Sequence, residues 1–290
     1  ITTDRFDLRF DGDFMSWAYL DYFVFYFPET KKYLAPTEFE FRYGLIPYGW
    51  TANQALKIKT VGLGDVVSAV GKIDSIPGVK AEDHYDNLFI NVEFAKDFRD
   101  PILEVKRSFA GYNGMFIQPY YNYIPDEDRE EVITSLVQFI SEDAEVEEWE
   151  VENYDENENP VTEPFRLNSK IIVDAVIEKA GDSYLFKVGT VIGPQVEMYQ
   201  ERERQCKVMT TFPHGYLREI TFNIPDGYKV SGLEKLKIDI QYGNDDMMTM
   251  GFISNYEMVD ESTVKVTINE FYTEVIYPLS EFVKYREVIN

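Results

Sequence analysis

Three side chains in this sequence suit nucleophilic or acid–base chemistry near neutral pH: two histidines, His84 and His214, and one cysteine, Cys206. Nucleophilic catalysis needs a thiol or hydroxyl beside a base, and a third group that orients the base. The histidines stand 130 positions apart, each alone. "EDHYD" sets His84 among acidic residues just ahead of a strand pattern, and "FPHGY" sets His214 in a Pro/Gly turn. A base or a metal ligand at either place would need partners that the local sequence does not supply, so both read as exposed loop histidines. Cys206 lies in "ERERQCKVMTTF", an alternation that places it on one strand face with Arg204 and Val208. Arg202, Arg204 and Lys207 are neighbours of the kind that activate a thiol. The expectation is nevertheless a buried or half-buried strand cysteine. A single cysteine allows no disulfide within the chain and no thiolate zinc site.

Other site patterns are sparse. No G-x-G-x-x-G, Walker A, H-E-x-x-H or G-x-S-x-G is present. "GLGDVVSAVG" (Gly62–Gly71) is glycine-spaced but lacks a preceding strand, and reads as a linker. "YDENENP" gives Asp155, Asn157 and Asn159 the alternate spacing of a calcium loop, whose oxygen ligands wrap a hard cation. Pro160 stands where the sharp-turn glycine belongs, and the distal Glu is missing, so we read a solvated acidic loop. With 52 acidic residues, carboxylate pairs at any spacing arise by chance, and none is singled out. No cofactor and no metal is expected.

The elements that would position these residues are mostly strands. Aromatic residues make up 16% of the chain, with 21 Tyr and 21 Phe, which favours pleated, half-buried surfaces. "DNLFINVEFAKD" alternates with Leu88, Ile90, Val92 and Phe94 on one face, and "PILEVKRSFAGY" repeats the pattern. "PDEDREEVITSLVQFISED" is the one convincing helix, expected at about 125–141. It opens with Pro125 and an acidic first turn, and Val132, Ile133, Leu136, Val137 and Ile140 recur at helical spacing. "KIIVDAVIEKAGDSYLFKVGTVIG" reads as two strands about a turn at Ala180–Ser183. From about Gln195 the strand–turn pattern recurs without a helix, "TVKVTI" being a strict alternation, and "LSEFVKYREVIN" closes the chain as a short mixed stretch. Short strands every 8–12 residues or so argue for β-sandwich architecture. The fold class expected is mainly β: one or two β-sandwich domains with one helix, preceded by a short β-hairpin segment. The boundaries expected are 1–60, 61–195 and 196–290, the last two being separate or continuous.

The net charge of −24 gives an acidic surface that repels phosphate and anionic lipid, so nucleic-acid binding is set aside. No apolar run reaches the ~18 residues of a membrane-spanning helix. "ITTDRFDLRF" reads as interior sequence, so we expect a piece of a longer protein.

The hairpin "LDYFVFYFPETKKYLAPTE" (Leu20–Glu38) carries a resemblance. It resembles the strand–turn–strand of papain-like transglutaminase cores, in which a catalytic His on the first strand (F-N-H-V) faces a catalytic Asp on the second (Y-L-D-P-T). Here Leu20-Asp21-Tyr22-Phe23 and Tyr33-Leu34-Ala35-Pro36-Thr37 place Tyr22 where the family has His, and Ala35 where it has Asp. "RYGLIP" (Arg42–Pro47) continues the match. "AGY" at Gly111-Tyr112, "IPDGY" at Ile224–Tyr228 and the closing "YPLSEFVKYREVIN" are similar to β-rich regions that follow such cores in exported proteins of Bacteroidota. The resemblance implies a degenerate core followed by domains of unknown function, and a periplasmic or cell-surface location. A phenol titrates near ~10 and cannot replace imidazole near neutrality, and a methyl group orients nothing. The family nucleophile would precede Ile1, and Cys206 follows the hairpin, the wrong chain order. The expectation is therefore a non-catalytic interaction or structural module with degenerate positions Tyr22 and Ala35. Its partner would be a peptide, a glycan or a protein, with β-addition to a strand edge as one mode. The alternative is an amide-hydrolysing or acyl-transferring enzyme with a rearranged or upstream site. A further alternative is a calcium-stabilised adhesive domain using Asp155–Asn159.

Overall fold

The computed structural model describes residues 1–14, 16–155, 158–194, 197–199, 201–244 and 247–290. Contacts divide the chain into two units, Ile1–Lys80 with Met209–Pro213, and Ala81–Val208 with His214–Asn290.

In the first unit, β1 (Phe25–Phe27) and β2 (Lys32–Leu34) form the expected aromatic hairpin in the register Phe25↔Leu34, Tyr26↔Tyr33, Phe27↔Lys32. The turn needs one left-handed residue, Lys31, with φ of 57°. Two longer strands follow, β3 (Asn53–Leu63) and β4 (Val66–Ile76), paired along their whole length from Asn53↔Ile76 to Leu63↔Val66. The segment read as a linker is thus the turn and second strand of a long hairpin. Its two-residue Gly64-Asp65 loop, with Gly64 at φ of 60°, is the positive-φ connection that matches the twist of flanking strands. This hairpin carries the first unit on to Lys80, past the boundary near residue 60 that the sequence suggests. Ala35, Ile46, Trp50, Ala55 and Ile76 form the small core of the unit, with Tyr22, Val24 and Tyr33 packed against it.

The second unit is built on one eight-stranded sheet, and the chain is mainly β as its alternation predicts. Its strands are β5 (Asp86–Glu93), β6 (Ile102–Phe109), β7 (Glu145–Glu152) and β8 (Phe165–Ile172). A small separate hairpin, β9 (Ile177–Ala180) and β10 (Ser183–Phe186), turns at Gly181-Asp182 as expected. The sheet resumes with β11 (His214–Asn223), β12 (Ile238–Gly243), β13 (Met248–Met258) and β14 (Thr263–Tyr272). The strand order is β12-β13-β14-β11-β5-β6-β8-β7. Each half is antiparallel, and the halves join through the parallel pair β5 and β11. The recurrence of the strand pattern after residue 195 is therefore the second half of a single sheet, closed edge to edge on the first.

Alternation decides the two faces. Leu88, Ile90 and Val92 of β5, Leu103 and Val105 of β6, Leu167 and Ile171 of β8, and Val264, Val266 and Ile268 of β14 point into one core. The opposite face is solvated and carries cross-strand pairs such as Lys265–Glu219 and Lys170–Glu147, each at 2.8 Å. The core face is covered by α1 (Asp126–Val137), by Ile140 and Ala144, and by the stretch from Val173 to Ile192. Helix α1 has Pro125 at its N-cap and three acids in its first turn, which complement the positive end of the dipole. It buries Ile133 and Val137, each contributing about 2 kcal/mol on the area scale. It stops short of the expected residue 141 because the Ile140 N–H bonds the Val137 carbonyl, an i+3 bond that tightens the end out of α geometry.

Besides the single turns Tyr112–Met115 and Val188–Val191, a further helix, α2 (Phe282–Ile289), occupies the closing stretch read as mixed. Phe282, Tyr285 and Val288 lie at helical spacing and bury themselves with Met250, Tyr272 and Tyr277. No helix among the described residues is long and apolar enough to cross a membrane.

Candidate functional site

Four charged residues interrupt the buried face of the sheet, each in phase with apolar neighbours. Asp86 precedes Leu88, Ile90 and Val92; Arg107 falls between Val105 and Phe109; Arg218 precedes Ile220 and Phe222; Glu270 follows Val264, Val266 and Ile268. Strand register brings them together. Ile268, Arg218, Leu88 and Arg107 lie side by side across β14, β11, β5 and β6. One step along, Glu270 is paired with Tyr216, and Asp86 with Phe109. Two diagonal ion pairs result, Asp86–Arg107 and Glu270–Arg218, flanking Leu88 and Tyr216.

The pairs are engaged to different extents. The Arg107 guanidinium grips Asp86 side-on, Nε donating to Oδ1 at 2.8 Å and Nη2 to Oδ2 at 2.7 Å. Its remaining nitrogen, Nη1, donates to the Leu136 carbonyl at 2.8 Å, and the group lies 3.8 Å from the Phe139 ring centroid. Arg218 is only 7% exposed, yet it donates end-on, from Nη1 alone, to Glu270 Oε2 at 2.9 Å. Glu270, 8% exposed, accepts the Tyr272 hydroxyl on Oε1 at 3.0 Å. Desolvating two such pairs is costly, and a buried ion pair is often no more stable than well-packed apolar residues.

These groups line a cavity of about 360 Å³. Its floor is the sheet, and its walls are Phe139, the Ile192–Pro194 turn, and Tyr285 and Ile289 of α2. Gly193 has φ of 79°, and a Cβ there would meet Phe139 Cδ2 at 2.8 Å, so the turn closes this tightly only with glycine. Three tyrosines face the cavity as protonated phenols. Burial, then the charges of Glu270 and Asp86, push Tyr216 up to about 12. Burial, then the charge of Glu270, raises Tyr272 and Tyr285 as well. The Tyr216 and Tyr285 hydroxyls have no hydrogen-bond partner among the described residues.

The structure brings the two histidines to neighbouring places, which corrects the reading of two isolated, exposed loop residues. His84 is 1% exposed. Its Nδ1 accepts the Tyr112 N–H at 2.9 Å, its ring stacks on Tyr112 at 4.5 Å, and its carbonyl accepts the Gly215 N–H at 3.1 Å. Burial, then the proximity of His214, lowers its pKa to about 4, so it is a neutral structural acceptor. Gly111 makes room for it: φ is 56° and ψ −127°, and a Cβ would fall 2.0 Å from His84 Nδ1. His214 opens β11, half-buried, and lines the cavity beside Tyr216 and Tyr272. The parallel pairing of β5 with β11, invisible to local sequence, is what joins positions 84 and 214.

Cys206 is exposed and lies outside any strand, which corrects the expected buried strand cysteine. The alternation of "ERERQCKVMTTF" yields strand only at Val208–Met209. Arg204 donates to the Cys206 carbonyl at 2.7 Å, a local turn contact rather than a thiol contact. Of the calcium-loop residues, Asn157 lies outside the described residues, and Asn159 Oδ1 caps the Val161 N–H at 3.0 Å. Among the described residues there is no cluster of three or more His, Cys, Asp or Glu that would hold a metal ion.

In the first unit, Tyr22 sits three residues before the β1 ladder and Ala35 one residue after β2. Both belong to the same small core, Ala35 2% exposed and Tyr22 stacked on Trp50 at 4.7 Å. Burial, then Asp7, Asp4, Asp21 and Glu38, raise the Tyr22 phenol above its ordinary value. The sequence did not single out Asp86, Arg107, Arg218, Glu270 or Tyr216. The available signal was a charge in phase with the apolar side of an alternating strand.

Compared with family models, curated proteins and solved structures, the chain has no match.

Proposed function

We propose that this chain is a non-catalytic, β-rich binding module of an exported protein, periplasmic or at the cell surface, and that its ligand occupies the cavity over β5, β6, β11 and β14. The observation that carries the reading is the incompletely engaged Arg218, buried on the floor of a cavity of about 360 Å³ whose open groups are hydrogen-bond donors. That volume lies in the range of small-ligand sites, which combine apolar walls with a few placed polar groups. Of the groups suited to acid–base chemistry, His84 is sealed in the core and the cavity phenols hold their protons, which leaves His214 on the cavity wall. Cys206 is absent from the cavity wall, so the amide-hydrolysis alternative has no nucleophile there. Tyr22 and Ala35, packed into an apolar cluster, suit the retained frame of a degenerate transglutaminase-like core.

Peptides, glycans and candidate partner proteins should be screened by thermal shift and calorimetry, since a ligand of the folded state raises Tm by mass action. Ile289→Trp fills the cavity from α2 without touching either ion pair. Hits that wild type binds and this variant loses support the reading. A broad screen with no hit sensitive to Ile289→Trp refutes it.

A further inference from the structure

Two arginines share one cavity but differ in which edge of the guanidinium is occupied. Arg107 presents its Nε–Nη2 edge to Asp86, two parallel hydrogen bonds to one carboxylate, and its last nitrogen to a carbonyl. That side-on fork is the strong geometry for arginine and a carboxylate. Arg218 meets Glu270 with Nη1 only, and its Nε and Nη2 have no partner among the described residues. Neither atom is sealed from solvent, and Arg218 lines the cavity. An arginine only 7% exposed, its guanidinium set over the Tyr216 ring at 4.8 Å and its best edge uncommitted, is a recognition group waiting for an acceptor pair, the position that Asp86 fills for Arg107.

We infer that the ligand of this cavity carries a carboxylate, received side-on by the Nε–Nη2 edge of Arg218. The inference rests on the cavity being the binding site. The Tyr216 and Tyr285 hydroxyls are further donors for the same group, and Glu270 is already shared with the Tyr272 hydroxyl, which tempers its repulsion of a second carboxylate. A monoanion fits better than a phosphate dianion, because Asp86 and Glu270 already balance the two arginines and the protein as a whole carries −24. The body of the ligand is compact and largely apolar, a single ring or short chain, because Leu88, Phe139, Ile192, Pro194 and Ile289 supply the apolar part of the lining, with His214 beside them. A free organic acid and the terminal carboxylate of a peptide present the same chemistry.

Matched pairs separate the possibilities: 4-hydroxyphenylacetate against its amide, and Gly-Gly-Tyr as free acid against its C-terminal amide, titrated by calorimetry and ligand-observed NMR. At least one acid should bind on the order of 10- to 100-fold tighter than its amide, the worth of charge-assisted hydrogen bonds. The pair that responds identifies the source. Arg218→Lys keeps the charge, removes the fork and should erase the acid–amide difference. Tyr285→Phe, which leaves both ion pairs intact, should weaken the acid by about 3- to 10-fold, one neutral hydrogen bond, and serves if the lysine variant fails to fold. Equal binding of acid and amide, failure of both acids to bind at millimolar concentration, or acid affinity unchanged in Tyr285→Phe and Arg218→Lys overturns the inference. A neutral glycan or peptide bound by wild type and lost in Ile289→Trp would then leave the binding module standing without the carboxylate.

Discussion

Lowering the pH should destabilise this protein through His84 in a way that a single substitution can isolate. In the fold His84 is neutral: its Nδ1 accepts the Tyr112 N–H, the ring is stacked and sealed, and burial with His214 nearby holds the pKa at about 4. In the unfolded chain a histidine titrates near ~6.5, so below that pH the unfolded state binds a proton that the folded state refuses. The stabilisation is fully present above the unfolded value and is lost as pH falls toward 4. With those two values the loss is about 2 kcal/mol at pH 5 and about 3 kcal/mol at pH 4. An acidic chain complicates the raw curve, because protonating carboxylates relieves repulsion in the opposite direction. His84→Asn resolves this. The Asn Oδ1 takes the place of Nδ1 as acceptor for Tyr112, and the lost ring contacts lower stability by an amount independent of pH. Urea unfolding of both proteins between pH 8 and 5, at fixed ionic strength, should give curves that converge by about 2 kcal/mol toward pH 5, wild type losing more. Curves that stay parallel to within ~0.5 kcal/mol, or an NMR titration of the His84 ring with a midpoint near 6.5, would refute the reasoning.

Other substitutions test the packing around the two cores. Gly111→Ala should cost more than about 4 kcal/mol in urea unfolding, because the new Cβ would meet His84 Nδ1 at 2.0 Å in a backbone conformation that L-residues rarely adopt. Arg107→Ala leaves the half-buried Asp86 without its partner and should cost about 1–3 kcal/mol, whereas Arg107→Met with Asp86→Leu should recover most of that loss. A double variant as unstable as the single one would show that the Leu136 carbonyl contact, not the charge pair, holds α1 against the sheet. Ala35→Asp inserts a carboxylate beside Ile46, Trp50 and Ile76 and should lower Tm by several degrees, through a desolvation cost of about 1–3 kcal/mol or more. A neutral result there would mean that the position retains room and polarity for a functional acid.

The strands were legible wherever alternation was strict. Leu88, Ile90 and Val92 of β5 and Val264, Val266 and Ile268 of β14 are buried as their period requires. Helix α1 was legible from Pro125 and its acidic first turn. Helix α2 was written as Phe282, Tyr285 and Val288, but eight residues is short for a period to stand out. The hairpin β3–β4 was hidden because both strands are largely exposed: a ribbon with little to bury has no apolar alternation to display, and only the Gly64-Asp65 loop marks it. Cys206 misled because charged residues alternating with anything mimic a strand when no core is there to receive one face.

By itself the sequence determined the period of each strand, and with it the side of the sheet on which Asp86, Arg107, Arg218 and Glu270 fall, because side-chain direction in a strand is a local property. What only the tertiary structure decided is which strands are neighbours. Pairing β5 with β11 sets Leu88 beside Arg218, brings His84 to His214, and turns four separate in-phase charges into two ion pairs around one cavity. Backbone hydrogen bonds between strands are the same for any pair of sequences. The choice of partner is therefore fixed by how the whole apolar face is covered, and that depends on residues more than a hundred positions apart.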